Sequence, residues 1–190
     1  MGNKTDISGF ILTGGKSSRM GTDKALLLIQ NEPLLKHIIR LIEPFCINVA
    51  LSGQNTDYDR FNVNMVPDMF SGCGPIAGIY SSLYHSSTDL NLIISVDVPF
   101  VNEELIRYLI LNFGEYDCII PEHTSGVEPL VGLYHKRILP VLEEMIKNGD
   151  NKLMNLLAKL NTRFLSCNNL ISKYPRLFMN INSPEDYHSI

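Results

Sequence analysis

Cysteine is scarce in this chain of 190 residues, and acidic residues outnumber basic ones. Cys46, Cys73, Cys118 and Cys167 lie far apart, with no Cys-x-x-Cys pair and no histidine at ligand spacing. That excludes a zinc ribbon or a disulfide scaffold and leaves reduced structural thiols. The formal net charge is −4, from 16 Lys and Arg against 20 Asp and Glu, which argues against a general nucleic-acid or membrane-surface binder. Small anionic ligands suit that balance better than polymers do. The segment Met1-Gly2-Asn3-Lys4-Thr5-Asp6 leads to an apolar run that glycine soon interrupts. It is too short for a secretion signal or a membrane span, so a cytoplasmic location is expected. Internal repeats, low-complexity tracts and Pro/Gly-rich linkers are all missing. The five histidines are scattered, and none is assigned a catalytic role.

What is present suits one globular α/β domain spanning residues 1–190, with 45% hydrophobic and 19% charged residues. Strands are expected at Gly9 to Thr13, Ile47 to Leu51, Asn64 to Val66, Leu90 to Val96, Cys118 to Pro121 and Leu130 to Tyr134. Between them, apolar residues recur at three- and four-residue intervals over Pro33 to Glu43, Gly74 to Tyr84, Asn102 to Asn112 and Ile138 to Asn148, which predicts helices. Gly149-Asp150-Asn151 separates two late helices, and Ser172 to Arg176 loosens the chain near its end. Strands alternating with helices of this length close as a mostly parallel sheet covered on both faces, and ligands then bind at the strands' carboxyl ends.

The stretch Ile11-Leu12-Thr13-Gly14-Gly15-Lys16-Ser17-Ser18-Arg19-Met20-Gly21-Thr22-Asp23-Lys24 runs from an apolar strand into a paired glycine and then a loop holding three cations. Adjacent glycines let backbone N–H groups approach an anion, while Arg19 offers a planar fork and Lys24 a point charge. The alternative for such a segment is a surface turn after a buried strand; its length and charge favour phosphate. It is not a Walker A loop, because the position five residues before Gly15 is Phe10, and Gly9 is out of register. Nor is it a dinucleotide fingerprint, since Ser17 or Ser18 stands where the third glycine belongs.

Asp97, in Val96-Asp97-Val98-Pro99-Phe100, should emerge at the carboxyl end of a central strand, either as a turn former before Pro99 or as a magnesium ligand beside substrate phosphates. Asp68 occupies the matching place after the third strand, as a nucleotide contact or an ordinary loop acid. The following segment to Gly78 holds Gly72 and Gly74, which permit tight turns, and small residues that allow either close ligand approach or close helix packing. In Asn180-Ile181-Asn182-Ser183-Pro184-Glu185-Asp186, Ser183 is the N-cap of a helix and Pro184 its first residue. Capping leaves both asparagines unexplained. On a short strand they would share one face and could reach a ligand or a metal-bound water.

Together the segments Leu12 to Gly15, Arg19 to Gly21, Asp23-Lys24, Gly74 to Gly78, Asp97 to Phe100 and Asn180 to Asp186 resemble the molybdenum cofactor guanylyltransferase (MobA) family along nearly the whole chain. The resemblance implies a three-layer α/β/α Rossmann-like nucleotidyltransferase fold. It implies transfer of GMP from GTP to molybdopterin, with Mg2+ as cofactor and pyrophosphate as the leaving group. Leu12, Thr13, Gly14 and Gly15 would then contact GTP, Arg19 and Lys24 would hold its phosphates, Ser52 and Asp68 would face the nucleotide, and Asp97 would hold magnesium. Gly78, Asn180 and Asn182 would serve the acceptor side. The paired Gly14-Gly15 resembles the guanylyl branch, since cytidylyl relatives carry alanine where Gly15 stands. Thr13 replaces the family's usual alanine, and Ser52 a frequent asparagine. After Gly149, relatives often carry arginines where this chain has Asp150-Asn151-Lys152. The implied partners are GTP, the molybdenum cofactor, cofactor-insertion proteins and molybdoenzymes, with no nucleic acid and no membrane, and a monomer or weak oligomer is expected. The competing readings are a cytidylyl- or uridylyltransferase acting on another cofactor or sugar phosphate, and a non-catalytic adaptor that delivers a nucleotide or cofactor.

Overall fold

The computed structural model describes residues 6–13, 23–29 and 31–188. Its centre is an eight-stranded sheet built on β1 (Ile7–Leu12), β4 (Asn48–Ser52), β5 (Asn64–Val66), β6 (Leu90–Ser95), β7 (Cys118–His123), β8 (Gly126–Val127), β9 (Val131–His135) and β10 (Thr162–Ser166). The strand order is β10-β7-β9-β6-β1-β4-β5, with β8 paired to β7. Pairs β1/β4, β1/β6, β4/β5 and β7/β10 are parallel, while β9 runs antiparallel between β6 and β7. The carboxyl ends of β1, β4, β5, β6, β7 and β10 therefore lie along one edge. Strands β2 (Leu28–Ile29) and β3 (Glu32–Pro33) form a separate small hairpin.

Burial explains the layering. Strand β6 reads Leu-Asn-Leu-Ile-Ile-Ser and is buried at every position, as a central strand covered on both faces must be. On one face, α1 (Leu34–Ile42) presents Leu34, Leu35, Ile38, Ile39 and Ile42, and α3 (Glu103–Leu111) presents Leu105, Ile106 and Leu109. These pack with Ile7, Ile11, Leu92 and Ile94. On the other face, α2 (Pro75–His85), α4 (Leu139–Lys147) and α5 (Leu153–Lys159) pack over Phe10, Leu12, Ile93 and Ile120. Truncating a fully buried residue such as Ile94 to alanine removes about 2–5 kcal/mol. Asn102 starts α3 by accepting a hydrogen bond from the Leu105 amide. Two short helices, α6 (Asn168–Lys173) and α7 (Pro184–His188), complete the chain.

The expected central strands and four helices are all present, within a few residues at each end, and the mostly parallel sheet between helical layers is borne out. One expectation is corrected. Residues 180–182 form no strand; Ile181 makes a single backbone bond, its amide to the Asp97 carbonyl at 2.9 Å, in place of a ladder. The alternation survives without the ladder, because Ile181 is buried and Asn180 and Asn182 are exposed.

Candidate functional site at the carboxyl edge

Strand β1 delivers Leu12 and Thr13 to the edge. The Thr13 amide and hydroxyl both donate to the Ser52 carbonyl of neighbouring β4, at 3.1 and 2.8 Å. The hydroxyl that replaces the expected methyl thus ties the exit of β1 to its neighbour. Gly14, Gly15, Lys16 and Arg19 lie outside the described residues.

The chain returns at Asp23. Its carboxylate takes three hydrogen bonds, from the Ala25 amide at 3.0 Å and from Asn55 Nδ2 and the Tyr58 hydroxyl at 2.7 Å each. Asp23 is therefore an anchor, and it fixes the start of the 3-10 turn Lys24–Leu26. Burial, and then the Asp23 charge, push the Tyr58 phenol far above its ordinary range, so it remains a donor. Sequence reasoning missed Asn55 and Tyr58. Their contacts span 32 and 35 residues, and nothing local in the sequence pairs them with Asp23.

Next to this anchor, Lys24 Nζ donates to Asn182 Oδ1 at 2.9 Å, bringing a residue of the first loop against one from the end of the chain. The Asn182 and Ser183 amides both donate to the Asp186 carboxylate at 2.8 Å, and these bonds hold its pKa below the ordinary carboxylate range. The Asp186 amide in turn donates to Ser183 Oγ at 3.2 Å, a reciprocal cap that sets where Asn182 points. One residue back, the Ile181 amide bonds the carbonyl of Asp97, which sits in the turn directly after β6. Lys24, Asn182 and Asp97 are thereby gathered at the ends of β1 and β6. No described residue donates to the Asp97 carboxylate or bonds the Asn180 side chain, so both are available to a ligand.

A cleft of about 120 Å³ opens beside this cluster, lined among others by Leu12, Ser52, Asp68, Phe70, Gly74 and Gly78. Ser52 is buried, and its hydroxyl lies 3.4 Å from both Asp68 Oδ1 and the Gly78 carbonyl. Burial raises the Asp68 pKa above the ordinary value, and the Ser52 hydrogen bond only partly opposes it. A Cβ added at Gly78 would stand 3.0 Å from Ser52 Oγ and 3.3 Å from a Leu12 methyl, so a larger residue there would make both side chains give way by a few tenths of an ångström. Gly74, at φ 69°, makes the left-handed turn that starts α2. Gly78 forms part of the wall of the Asp68 cleft.

A lysine and a carboxylate without a protein partner among the described residues, at the carboxyl edge of a mostly parallel sheet, are suited to phosphate chemistry, and the fold is that of the nucleotidyltransferases. More narrowly, the chain belongs to the family described as the MobA-like NTP transferase domain, whose model matches residues 9–164. A probable molybdenum cofactor guanylyltransferase of Flavobacterium johnsoniae is 37% identical over 180 residues, covering 94% of this chain and 87% of the relative. The molybdenum cofactor guanylyltransferase of Vibrio vulnificus is 32% identical over 180 residues, covering 93% and 90%. Among solved structures, molybdopterin-guanine dinucleotide biosynthesis protein A from Archaeoglobus fulgidus superposes with a TM-score of 0.82 at 26% identity, over 96% of this chain and 95% of that one. No helix among the described residues is long and apolar enough to cross a membrane.

Proposed function

We propose that this chain transfers GMP from GTP to molybdopterin, forming molybdopterin guanine dinucleotide and releasing pyrophosphate. The observation that carries the proposal is the Lys24 to Asn182 hydrogen bond, with Ile181 tied to Asp97 beside it. Lys24, Asp97 and the tail segment Ile181-Asn182 are neighbours there, which supports reading them as the groups that handle phosphate. That is the point where a donor lying over β1 and an acceptor lying over β6 would meet.

In this reading the terminal phosphate oxygen of the acceptor attacks the α-phosphorus of GTP in line, and the bond to the pyrophosphate oxygen breaks. The acceptor is already an anion, so the protein's task is to hold two anions in register and offset the developing charge. Lys24 and Arg19 bind the phosphates, with Asp23, Asn55 and Tyr58 keeping Lys24 in place. Asp68 accepts the paired N–H donors on the guanine edge, a pattern that cytosine does not present, and Ser52 and Gly78 shape the surrounding wall. Asn180 and Asn182 face the acceptor. The donor set fits magnesium, because Asp97 offers a hard carboxylate with free oxygens, and no group of three or more His, Cys, Asp or Glu among the described residues competes for a softer ion. Held at Asp97, the ion would supply charge neutralisation to the phosphate oxygens.

The test is to incubate the protein with GTP, magnesium and molybdopterin and to analyse the products by mass spectrometry, with CTP and UTP in parallel. A guanine dinucleotide and pyrophosphate are expected. A dinucleotide formed preferentially from CTP or UTP, or GTP binding with no pyrophosphate released, would overturn the reading.

A further inference from the structure

The strand order puts a second carboxylate on the far side of Asp97. Strand β7 ends at His123 on the same edge as β6, and β8 then leads into Glu128 just before β9. His123 Nε2 lies 3.0 Å from Glu128 Oε1, while His123 Nδ1 accepts the Ser125 amide at 3.2 Å. That amide fixes the ring's roles: Nδ1 accepts, so Nε2 carries the proton and donates to the carboxylate. The imidazole is stacked on Phe178, with centroids 5.2 Å apart and planes at 12°. The pair is largely enclosed, at 11% and 20% side-chain exposure. The Glu128 amide and carbonyl are both bonded within the protein, to the Pro121 carbonyl and the Val131 amide. Glu128 Oε2 takes no hydrogen bond from a described residue. A carboxylate aimed by a histidine whose own orientation is set on two sides is preorganised, and about three of its four accepting sites are open.

The tail bounds how far it lies from the reacting groups. Phe178, packed on His123, is four residues before Asn182, which bonds Lys24, so the two ends are separated by at most about 14 Å of extended chain. The tail thus runs along the edge from Glu128, past Asp97 at Ile181, to the phosphate-holding lysine. In strand order, Asp68 follows β5 on one side of β6, and Glu128 stands beside β7 on the other.

Resting on the function proposed above, we infer that Glu128, aimed by His123, binds the pterin ring of the acceptor. A 2-amino-4-oxo-pyrimidine presents a ring N–H and an exocyclic N–H in the same direction, and a carboxylate accepts both. Guanine and a pterin share that edge. The two carboxylates therefore read the same hydrogen-bond pattern at the two ends of the reaction, with the phosphates meeting between them. Glu128 is a binding residue and His123 a positioning residue; neither touches the reacting phosphorus.

The test is Glu128→Gln, with the Michaelis constants for GTP and molybdopterin measured separately and the unfolding temperature recorded. The expected result is a rise of about 10- to 100-fold in KM for molybdopterin, the size of a lost charged hydrogen bond, with KM for GTP and the unfolding temperature unchanged. His123→Phe keeps the ring on Phe178 but removes the donor, and it gives a smaller rise in the same constant. Should Glu128→Gln not fold, Glu128→Asp and His123→Phe carry the test with the same expected selectivity. An unchanged KM for molybdopterin, or KM values for both substrates rising together, overturns the inference. A second readout needs no turnover: quenching of the fluorescence of oxidised 6-(hydroxymethyl)pterin phosphate is expected with the parent protein and lost with Glu128→Gln. If the parent protein quenches the probe yet forms no guanine dinucleotide, the proposed reaction fails while the ring site stands. If the dinucleotide forms and the probe binds both proteins alike, the ring site fails alone.

Discussion

The two edges of the central sheet are built from similar residues and do opposite things. At the amino edge, Thr88 Oγ1 accepts the Ser8 amide at 3.0 Å and bonds Ser8 Oγ and the Leu90 carbonyl at 2.8 Å. Nearby, Arg137 Nε bonds Asp117 Oδ1 at 2.6 Å, and the Asn161 amide takes the other carboxylate oxygen at 2.9 Å. Although burial alone would raise it, these bonds leave the Asp117 pKa below the ordinary carboxylate range. A cavity of about 640 Å³ opens there, lined by Asp6, Asp89, His135 and Arg137 among others. At the carboxyl edge the cleft is far smaller, yet Asp97, Asn180 and one oxygen of Glu128 are left without protein partners among the described residues, and Asp68 is held above its ordinary pKa. The size of an opening does not locate chemistry; unspent hydrogen-bonding capacity does. One edge has its polar groups bonded to one another, and the other leaves several open, as the proposed function requires.

Substitutions at the two edges should therefore separate cleanly. The largest effect is expected from Lys24→Met, which should lower kcat by about 10²- to 10³-fold with the unfolding temperature nearly unchanged, as measured by steady-state kinetics beside calorimetry. Asp68→Asn should come next, raising KM for GTP by about 10- to 100-fold. Because the folded protein raises this pKa, it binds that proton more readily than the unfolded chain does. The ionised carboxylate therefore costs stability once the pH has risen through the window between the two values, and the cost is relieved as the pH falls. Asp68→Asn should then unfold no lower than the parent at neutral pH. In the parent, GTP affinity should fall as acid protonates Asp68, beginning at a higher pH than for an ordinary carboxylate, whereas the variant's affinity should stay flat. Tyr58→Phe removes one of three donors from Asp23 and should lower kcat by about 10-fold with little change in KM for GTP. The opposite edge supplies the control. Thr88→Val strands the Ser8 amide and should cost about 1–3 kcal/mol in denaturant unfolding while leaving both kinetic constants at the parent values.

The same contrast explains what was legible in the sequence. Buried central elements could be read because burial imposes a pattern: β5 falls at Asn64–Val66 as expected, and β6 ends one residue early. Strand β10 escaped notice because it lies at the sheet's rim with only Leu165 buried, so no apolar run marks it, and α6 is short with no buried residue. Lys24 could be nominated from its cationic loop, Asp97 from its place just past a strand and Asn182 from its place just before a capped helix, and the fold brings these three together. The Tyr58 to Asp23 anchor and the His123 and Glu128 pair could not, since both depend on which loops end up side by side. The strand proposed for residues 180–182 failed for a related reason. Alternating burial requires only that a segment lie flat on a core, and no neighbouring strand is needed for it.

Single-turnover formation of guanine dinucleotide from GTP and molybdopterin in the presence of magnesium, comparing Asp97→Ala with Arg137→Met, tests the division between the edges most directly. The account predicts that Asp97→Ala folds normally and loses about 10²-fold in rate. It predicts that Arg137→Met, which breaks the ion pair at the other edge, reacts at the parent rate. Full activity in Asp97→Ala, or a comparable loss of rate in Arg137→Met, would contradict it.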